Sequence, residues 1–324
     1  MVRKTGSENN RIPLLVIEGP TSAGKSDIAV LVAKAVGGEI ISADSMQVYK
    51  GMDIGTGKIR PEEMGGIPHH LLDVAEPTDA FDLARFKEMA KDAVMGVWER
   101  GHFPILCGGT GFYIQAVVKD IDFSSASPSE AYRAELEAFA EKEGNDALHR
   151  ILAEKDPEAA EAIHPNNRKR VIRALEFLHE TGGKISEKNR SDKEQPSPYD
   201  VMIFFIDMDR AALYRKIEKR VDRMLEDGLL DEVRTLREKG LTKNDVSMQG
   251  LGYKEILGYL EGELPLEEAV RILKRDTRHF AKRQLTWFRH DRDAIRIDRD
   301  DFGNDPEKIA AAVTGMVREH YGLQ

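Results

Sequence analysis

The feature that most constrains the fold is the octapeptide GPTSAGKS at residues 19–26, which matches the phosphate-binding pattern GxxxxGK[ST]. An apolar run at residues 14–17 precedes it and predicts a buried strand. Residues 27–36 follow with helical periodicity and stop at Gly37, as a helix with a glycine C-cap does. Because strand, loop and helix occur in the required order, we predict a P-loop at the start of an α/β domain.

This loop is suited to hold phosphate groups. Such a loop turns successive backbone N–H groups toward an anion at the positive end of a helix. Lys25 adds a point charge, and the hydroxyl of Ser26 is a candidate ligand for Mg²⁺. The residues that we expect to bind phosphate oxygens are Gly19, Thr21, Ser22, Ala23, Gly24, Lys25 and Ser26. The pattern alone leaves open which phosphate compound is held, and an ordinary glycine-rich turn is the alternative.

Composition excludes several classes of protein. The chain has 324 residues, 41% of them hydrophobic, which is enough for a large core. Residues 1–11 are polar, and no later stretch approaches about 18 uninterrupted apolar residues. Cys107 is the only cysteine, which excludes an intrachain disulfide and a cysteine-based zinc cluster. We expect a soluble, cytoplasmic monomer that binds no membrane. The net charge of −9 argues mildly against a nucleic-acid partner, unless a local basic surface exists.

Two further predicted strands carry polar residues at their carboxyl ends. Residues 39–44 form the first and end on Asp44. Ligands of α/β sheets gather at such ends, so we expect Asp44 to face the same crevice as the P-loop; a helix N-cap is the alternative. Residues 103–107 form the second, followed by Gly108, Gly109 and Thr110. Nucleotide hydrolases usually have an aspartate there, so its absence argues against a simple ATPase.

The middle of the chain differs in composition from both ends. A serine-rich cluster at residues 124–129 resembles a linker, residues 130–181 predict several short helices, and Gly182 opens a polar stretch. An apolar run at residues 201–206 then predicts another buried strand. We therefore predict a P-loop NTPase-like core with a parallel sheet, residues 1–118 and 200–324, interrupted by an all-helical insertion, residues 119–199.

Two predicted helices carry clustered cations. In the insertion, Lys169, Arg170 and Arg173 share one face while Val171, Ile172 and Leu175 point inward; a solvated face and an RNA-facing surface explain this equally well. A long helix from Pro265 to about Arg289 aligns five cations with few interrupting acids, which favours an edge that binds a nucleic-acid backbone. Glu267, Glu268 and Asp276 could neutralise part of this edge. The five cations, the basic stripe, are Arg271, Arg275, Arg278, Lys282 and Arg289. We assign the nearby Trp287 and Phe288 to the core.

Three classes of function fit these features. The first is a P-loop small-molecule kinase, and the second is an RNA-binding P-loop protein that is hydrolytic or not catalytic. The third is an enzyme whose P-loop holds a diphosphate leaving group while an RNA base attacks. No NKxD signature occurs, which argues against a GTPase. Only the third class uses the P-loop, Asp44, the insertion and the basic stripe together.

Seven segments resemble the tRNA dimethylallyltransferase family. They span roughly residues 13–290, and they are residues 19–26, 42–56, 68–70, 108–111, 170–176, 252–255 and 283–289. The departures are small: Ser26 replaces a common threonine and keeps the hydroxyl, and Asn167 stands where an aspartate is expected. The resemblance implies transfer of the dimethylallyl group of dimethylallyl diphosphate to N6 of adenine 37, beside the tRNA anticodon, with release of diphosphate.

The resemblance also implies roles for individual residues. Asp44 is the expected base, Thr110 orients the amine, and Arg220 joins the P-loop and Mg²⁺ near Ser26 in stabilising the diphosphate. Ser45, Met46 and Gln47 are expected to line the adenine pocket beside Asp44, with Gln47 reading the adenine edge. We expect the insertion to hold the anticodon stem by shape and phosphates. The further tRNA contacts that we expect are Thr110, Arg133, Lys169, Arg170, Val171, Ile172, Arg173, Arg275, Arg278 and Lys282.

Overall fold

The structure is a computed structural model that describes residues 11–123 and 129–323. Residues 1–10 and all of the predicted linker except Ser129 lie outside the described residues. The described chain divides into two compact units. One contains the residues up to Val118 and those from Pro198 onward, and the other is Lys119–Ser197.

The first unit is built on a six-stranded parallel sheet with strand order β3-β2-β4-β1-β5-β6. The described strands are β1 (Ile12–Glu18), β2 (Gly38–Ala43), β3 (His69–His70), β4 (Phe103–Gly108), β5 (Tyr199–Asp207) and β6 (Ala294–Asp298). The predicted α/β class with a parallel sheet is therefore confirmed. The two edge strands, β3 and β6, were not predicted, because one has two residues and the other lacks an unbroken apolar run.

Helices make up most of the remaining chain. The described α-helices are α1 (Lys25–Val36), α2 (Leu83–Glu99), α3 (Gly111–Val118), α4 (Glu130–Glu143), α5 (Asn145–Lys155), α6 (Pro157–Ala162), α7 (Arg168–Thr181), α8 (Ile185–Glu194), α9 (Arg210–Glu226), α10 (Leu229–Glu238), α11 (Tyr253–Leu260), α12 (Leu266–Phe288) and α13 (Pro306–Tyr321). Within these described residues, no helix combines the length and apolar character needed to cross a membrane.

Both faces of the sheet are covered, which explains the unbroken apolar runs of its central strands. Successive strand residues point to opposite faces. Leu14 and Val16 accordingly join a cluster with side chains of α2, α3 and α9–α12, whereas Leu15 and Ile17 join one with side chains of α1 and α13. All four side chains are fully buried. Burial of β1 on both faces fixes the position of the P-loop that follows it.

The second unit contains α4–α8 and has its own core, which includes Leu136, Leu152 and Leu175. The polar stretch that was predicted to follow Gly182 contains the helix α8. Its sequence has little apolar periodicity, and its start is stabilised by the buried Asp156 carboxylate. That carboxylate accepts hydrogen bonds from the Ser186 backbone N–H at 3.0 Å and from the Ser186 hydroxyl at 2.7 Å. A tertiary contact of this kind has no local sequence signal.

The sheet brings three loops together at one edge. Glu18 and Ala43, the last residues of β1 and β2, both align with Gly108, the last residue of β4. The loops that follow these strands are therefore neighbours, and the Thr110 N–H donates to the Ala43 carbonyl at 3.2 Å. These loops carry the P-loop, Asp44 and Thr110.

Candidate active site

The P-loop has the backbone conformation of an anion-binding loop. Ser22 and Gly24 have left-handed backbone angles, with φ of 65° and 78°. Gly24 immediately precedes α1, whose first-turn N–H groups have no acceptor within the helix. The positive end of α1 and these N–H groups favour a bound anion. The loop therefore has the local geometry that phosphate binding requires.

Lys25 closes the P-loop on itself. Its Nζ donates to the Pro20 carbonyl at 2.8 Å, and the Ala23 N–H donates to the same oxygen at 3.3 Å. Burial lowers the pKa of Lys25 to about 8, because a charged ammonium loses hydration there. Lys25 is therefore still mainly cationic at neutral pH, and it lies where it can turn to a phosphate.

A bridge from α12 holds the P-loop against the loop after β4. The Gln284 side chain accepts a hydrogen bond from the Thr21 N–H at 2.8 Å and donates to the Gly109 carbonyl at 2.7 Å. It is only 7% exposed. Gln284 was not assigned to the site from sequence, although it lies in the family-like segment at residues 283–289. Its amide needs both a donor and an acceptor, and this arrangement supplies both.

Asp44 directly follows β2, in a turn that forms a hydrogen bond with Thr110 of the loop after β4. Its Oδ1 accepts from the Met46 N–H at 2.9 Å, and no helix begins there, so the N-cap alternative is wrong. The Ser45 N–H donates to the Thr110 hydroxyl at 3.1 Å, and that hydroxyl lies 3.4 Å from the Ser45 hydroxyl. Thr110 is thereby fixed beside Asp44.

Arg220 reaches the P-loop from α9. Its guanidinium donates to the Thr21 hydroxyl at 3.3 Å and to the Thr56 carbonyl at 3.1 Å. Loss of hydration lowers the pKa of Arg220, and the Asp44 carboxylate opposes that shift. A Cβ at Gly57 would lie 1.8 Å from the Arg220 Nη2, so only glycine leaves space for this contact. Arg220 therefore adds a fixed positive charge between the P-loop and Asp44.

The backbone that receives Arg220 is held by a carboxylate from α10. Glu232 accepts hydrogen bonds from the N–H groups of Asp53, Ile54 and Gly55 at 2.8–3.0 Å. It also accepts one from the Tyr253 hydroxyl at 2.7 Å, and burial raises the pKa of that tyrosine. This network was not identified from sequence, because its members lie far apart in the chain.

These residues surround two adjoining cavities. The P-loop cavity, ≈ 500 Å³, is lined by Thr21, Ser22, Gly24, Lys25, Ser26, Asp27, Asp44, Gln47, Thr56, Gly57, Ile59, Glu63, Cys107, Gly108, Gly109, Lys216, Arg220, Arg223 and Gln284. The apolar cavity, ≈ 330 Å³, is lined by Thr21, Asp44, Ser45, Met46, Gly55, Thr56, Thr110, Ile217, Arg220, Val221, Met224, Gln249, Gly250, Leu251, Tyr253, Lys254, Leu273, Thr277, Phe280 and Arg283. Thr21, Asp44, Thr56 and Arg220 line both.

Comparison with known proteins identifies the family. The family model described as IPP transferase matches residues 47–291. The chain belongs to this family. It is 53% identical over 306 residues to the tRNA dimethylallyltransferase of Lachnoclostridium phytofermentans, covering 94% of this chain and 96% of that protein. It is 47% identical over 308 residues to the tRNA dimethylallyltransferase of Halalkalibacterium halodurans, covering 94% and 98%.

Solved structures of the family have the same fold. The tRNA isopentenylpyrophosphate transferase of Bacillus halodurans is 44% identical, with a TM-score of 0.71 over 96% of this chain and 98% of that one. A eukaryotic dimethylallyltransferase, described as acting on tRNA, is 31% identical, with a TM-score of 0.75 over 89% of this chain and 74% of that one.

Within this IPP transferase fold, the structure distributes the expected adenine-pocket residues between the two cavities. Ser45, Met46 and Thr110 line the apolar cavity. Gln47 lines the P-loop cavity instead. Its amide accepts from the Ser42 hydroxyl at 3.2 Å and donates to the Gly57 carbonyl at 3.4 Å. Through these contacts the Gln47 amide links β2 to the loop at residue 57.

Three cations beside the P-loop were not assigned to the site from sequence. Lys216 and Arg223 line the P-loop cavity and lie on α9 at helical spacing from Arg220, a signal that could have identified them. The third, Arg299, follows β6 and is 5% exposed. It donates to the Ala23 carbonyl at 2.8 Å, directly beneath the loop. Arg299 carried no signal, because its position depends on the tertiary fold.

A metal ion bound here would share its ligands with a phosphate. Ser26 and Asp27 line the P-loop cavity and offer hydroxyl and carboxylate oxygens. Among residues 11–123 and 129–323, no group of three or more His, Cys, Asp or Glu side chains forms a metal site. Mg²⁺ commonly binds through one or two protein oxygens together with substrate phosphates. The donor set therefore fits Mg²⁺ only in company with a diphosphate.

Four of the five cations of the basic stripe form ion pairs, so the predicted nucleic-acid-binding edge has fewer unpaired charges than the spacing along α12 suggests. Arg271 pairs with Glu268 and Arg275 with Asp276, both on α12. Arg278 and Arg289 pair with acids from other elements, Glu218 on α9 and Asp207 on β5. In the described part of the chain, Lys282 is the member of the stripe that forms no ion pair. The acids that come from α9 and β5 could not be anticipated from the spacing of residues along α12.

Only part of the predicted RNA-facing segment of α7 is exposed for contact with RNA. Val171 and Ile172 are 0% and 2% exposed, so the expectation that they contact tRNA is wrong for their side chains. Lys169 and Arg170 are exposed. Arg133 is held in a two-bond contact to the buried Glu176, at 2.7 and 2.8 Å. The side chains of this segment that can contact RNA are therefore its exposed cations.

Three further residues bear on smaller predictions. Phe288 is 1% exposed, which confirms its assignment to the core, whereas Trp287 is 43% exposed and its core assignment is wrong. Asn167, the departure from the family pattern, precedes α7 without making a side-chain capping bond. The structure therefore does not explain why asparagine stands here in place of aspartate.

Proposed function

We propose that this protein transfers the dimethylallyl group of dimethylallyl diphosphate to N6 of adenine 37 in tRNA and releases diphosphate. The observation that carries this proposal is the junction of the two cavities at Thr21, Asp44, Thr56 and Arg220. A polar cavity suited to a diphosphate there meets an apolar cavity suited to a prenyl chain and a base. The reacting carbon would lie at the junction, where Asp44 and Arg220 are both present.

The P-loop cavity would stabilise the leaving group. As the bond between the allylic carbon and oxygen breaks, negative charge grows on the diphosphate. The first-turn N–H groups of α1, Lys25 and Arg220 would surround that charge before the reaction begins, which is the condition for effective electrostatic catalysis. Mg²⁺ held by the Ser26 hydroxyl and the diphosphate oxygens would neutralise further charge.

Asp44 would accept the proton that the amine loses. The lone pair of an exocyclic adenine amine is delocalised into the ring, so the nitrogen is a weak nucleophile. The new carbon–nitrogen bond forms as the carbon–oxygen bond breaks, and the amine proton passes to the Asp44 carboxylate. The Thr110 hydroxyl, fixed by Ser45, would orient the amine.

The apolar cavity would keep water from the allylic cation. Ile217 and Val221 on α9, with Leu273 and Phe280 on α12, supply hydrophobic walls. Exclusion of water prevents hydrolysis of a reactive intermediate. A kinase would use the P-loop equally well, but a wall of this kind next to the phosphate site favours a hydrocarbon substrate. The relatives' names also favour prenyl transfer over phosphoryl transfer.

We propose that the unit Lys119–Ser197 contacts the anticodon stem. Lys169 and Arg170 on α7 are exposed cations that could bind phosphates. Double-stranded RNA is recognised mainly by shape and backbone contacts, which cations of this kind can supply. Because tRNA is the substrate, we expect the enzyme to work in the cytoplasm.

One assay separates the functional classes. The protein is incubated with Mg²⁺, unmodified tRNA, and either labelled dimethylallyl diphosphate or labelled ATP. Label transferred to RNA from the prenyl donor supports the proposal. Consumption of ATP with phosphorylation of a small acceptor would support the kinase, and RNA binding without transfer would support an RNA-binding protein.

The Asp44→Asn variant tests the assignment of the base. The amide keeps the shape of the side chain but does not accept the proton, so we expect kcat to fall by about 10²-fold or more. Binding of tRNA and of dimethylallyl diphosphate should change little. Asp92→Asn, on the exposed side of α2, is the matched control and should behave like wild type. Unchanged kcat in Asp44→Asn would exclude Asp44 as the base.

A further inference from the structure

One side of α12 leads from the apolar cavity to an exposed aromatic surface. Phe280 and Arg283 line the cavity, and Trp287 follows at the spacing that keeps it on the same side of the helix. Trp287 is 43% exposed, and Phe112 on α3 is 48% exposed. Their ring centroids are 6.3 Å apart in an edge-to-face arrangement. We call these two side chains the aromatic pair.

The aromatic pair is held next to Thr110. A Cβ at Gly111 would lie 2.2 Å from the Trp287 Nε1, so the indole packs directly on the backbone of the residue after Thr110. This close approach fixes the ring at the start of α3, beside the apolar cavity that Thr110 lines. The indole is thus fixed on one side and open to solvent on the other. Tryptophan is enriched at binding surfaces, where one side of the ring packs on the protein and the other meets a partner.

We propose that the aromatic pair stacks on the unpaired nucleotide next to the target adenine in the anticodon loop. This inference rests on the proposed function, because it identifies how the same site receives its RNA. When the target adenine leaves the loop to enter the apolar cavity, its neighbours lose a stacking partner. A rigid indole packed on Gly111, next to the cavity-lining Thr110, replaces that partner. Stacking on aromatic side chains is a common way to bind unpaired bases.

The charges around the aromatic pair favour a nucleotide over an apolar protein segment. Arg283 lies one turn before Trp287 on α12. Lys282 is adjacent to it and forms no ion pair with any of the described residues. A base that stacks on the indole would bring its phosphates near these cations, whereas an apolar peptide would gain nothing from them. The occupant is therefore an unstacked base of single-stranded RNA.

The test measures binding of an anticodon stem-loop RNA that carries 2-aminopurine beside adenine 37. Wild-type protein should change the fluorescence of this base, and Trp287→Ala should weaken RNA binding roughly 5- to 100-fold. Trp287→Phe should restore most of the affinity, because a phenyl ring still stacks. Phe112→Ala should weaken binding less, because Phe112 contacts the indole by its edge.

Three controls separate stacking from damage to the fold. Met95→Ala removes an exposed apolar side chain on α2 and should leave RNA binding unchanged. Binding of dimethylallyl diphosphate to Trp287→Ala should match wild type, and so should binding of a fully paired stem RNA. If Trp287→Ala does not fold, Trp98→Phe leaves Trp287 as the only tryptophan, and RNA should then quench its emission.

The outcomes distinguish this inference from the proposed function. Binding of the loop RNA within twofold of wild type in folded Trp287→Ala would overturn the stacking proposal, as would an unquenched Trp287 in Trp98→Phe. Prenyl transfer to tRNA is measured separately on wild-type protein. Its absence would contradict the proposed function, while the binding data would still decide whether the aromatic pair stacks on RNA.

Discussion

Among single residues, two groups at the P-loop have pKa values that burial shifts toward the neutral form: Glu18, which precedes the loop, and Lys25 within it. Glu18, the last residue of β1, is 1% exposed, and its Oε1 has no hydrogen-bond partner among the described residues. Burial, with a smaller effect of the Asp291 carboxylate, raises the pKa of Glu18 to about 9. Lys25 has a lowered pKa for the same main reason. At neutral pH Glu18 is therefore mainly protonated, and Lys25 is mainly charged.

The raised pKa of Glu18 makes the free energy of unfolding depend on pH. The folded state holds a proton that the unfolded state loses above pH 4.5 or so, so stability falls as pH rises toward 9, by at most about 1.4 kcal/mol per pH unit. Glu18→Gln removes this loss. We expect the variant to be more stable than wild type by about 1–3 kcal/mol at pH 8, with a smaller difference at pH 5. Denaturant unfolding at both pH values measures the change.

An exposed carboxylate is the control for Glu18. Glu62→Gln should leave the unfolding free energy within about 0.5 kcal/mol of wild type at both pH values. A Glu18→Gln variant that is less stable than wild type at pH 8 would contradict the assignment of a buried, protonated carboxyl.

The lowered pKa of Lys25 predicts a pH-dependent affinity for the diphosphate donor. Lys25 is cationic below its pKa of about 8 and neutral above it, and only the cation attracts phosphate. Affinity should be nearly constant between pH 7 and 7.5 and should weaken above pH 8, by up to about tenfold per pH unit. Calorimetry at pH 8.5 in buffers of different ionisation enthalpy should detect proton uptake on binding.

Substitution of Lys25 provides the control. Lys25→Met should bind the donor weakly at every pH and should take up no proton at pH 8.5. Proton uptake that persists in Lys25→Met would assign the titration to another group.

At the scale of elements, the site depends on bridges between elements that are distant in sequence. Gln284 joins α12 to the P-loop, Glu232 joins α10 to the loop that receives Arg220, and Arg299 joins the segment after β6 to Ala23. Each bridge satisfies backbone groups that the loops leave unpaired. The loops are thereby fixed without regular secondary structure, which is the preorganisation that electrostatic catalysis requires.

Gln284→Leu tests the bridge from α12. Leucine has a similar size but leaves the Thr21 N–H and the Gly109 carbonyl without partners, so we expect a stability loss of about 1–3 kcal/mol. Because the P-loop is then less well fixed, KM for dimethylallyl diphosphate should rise more than KM for tRNA. Thr286→Ala, two residues later and exposed, should leave both values unchanged. Equal increases in the two KM values would indicate general damage.

For the molecule as a whole, the proposed function requires an acidic protein to bind a polyanion. The net charge of −9 repels tRNA at long range, and four of the five cations in the basic stripe are paired with acids. Under the proposed function, we expect the affinity for RNA to depend on a few exposed cations such as Lys169, Arg170 and Lys282. Screening by salt weakens the repulsion as well as the attraction, but phosphate contacts release counterions and dominate the salt dependence.

Salt dependence of tRNA binding counts the phosphates that the protein neutralises. Replacing Lys169 or Arg170 by alanine should reduce the slope of log K against log salt by about 0.7–0.9 for each phosphate that is no longer neutralised. Lys142→Ala, also in the second unit but paired with Glu143, should leave the slope unchanged. Slopes equal to wild type in both α7 variants would exclude this helix from the tRNA interface.

Several elements follow from local sequence pattern alone. The central strands, the P-loop and α1 follow from apolar runs and glycine positions, because strand burial and helix capping are set by neighbouring residues. The placement of Asp44 and Thr110 near the P-loop follows from the rule that ligands collect at the carboxyl ends of parallel strands. The family resemblance added the expected reaction and the role of Arg220.

Which residues face one another depends instead on packing between distant elements. The acids that neutralise Arg278 and Arg289, the bridges of Gln284 and Glu232, and the exposure of Trp287 all depend on elements far apart in the chain. Periodicity indicates which side of a helix is apolar, but not what packs against its other sides. Charge neutralisation, loop position and aromatic exposure were therefore fixed by packing between elements, for which the sequence has no local signal.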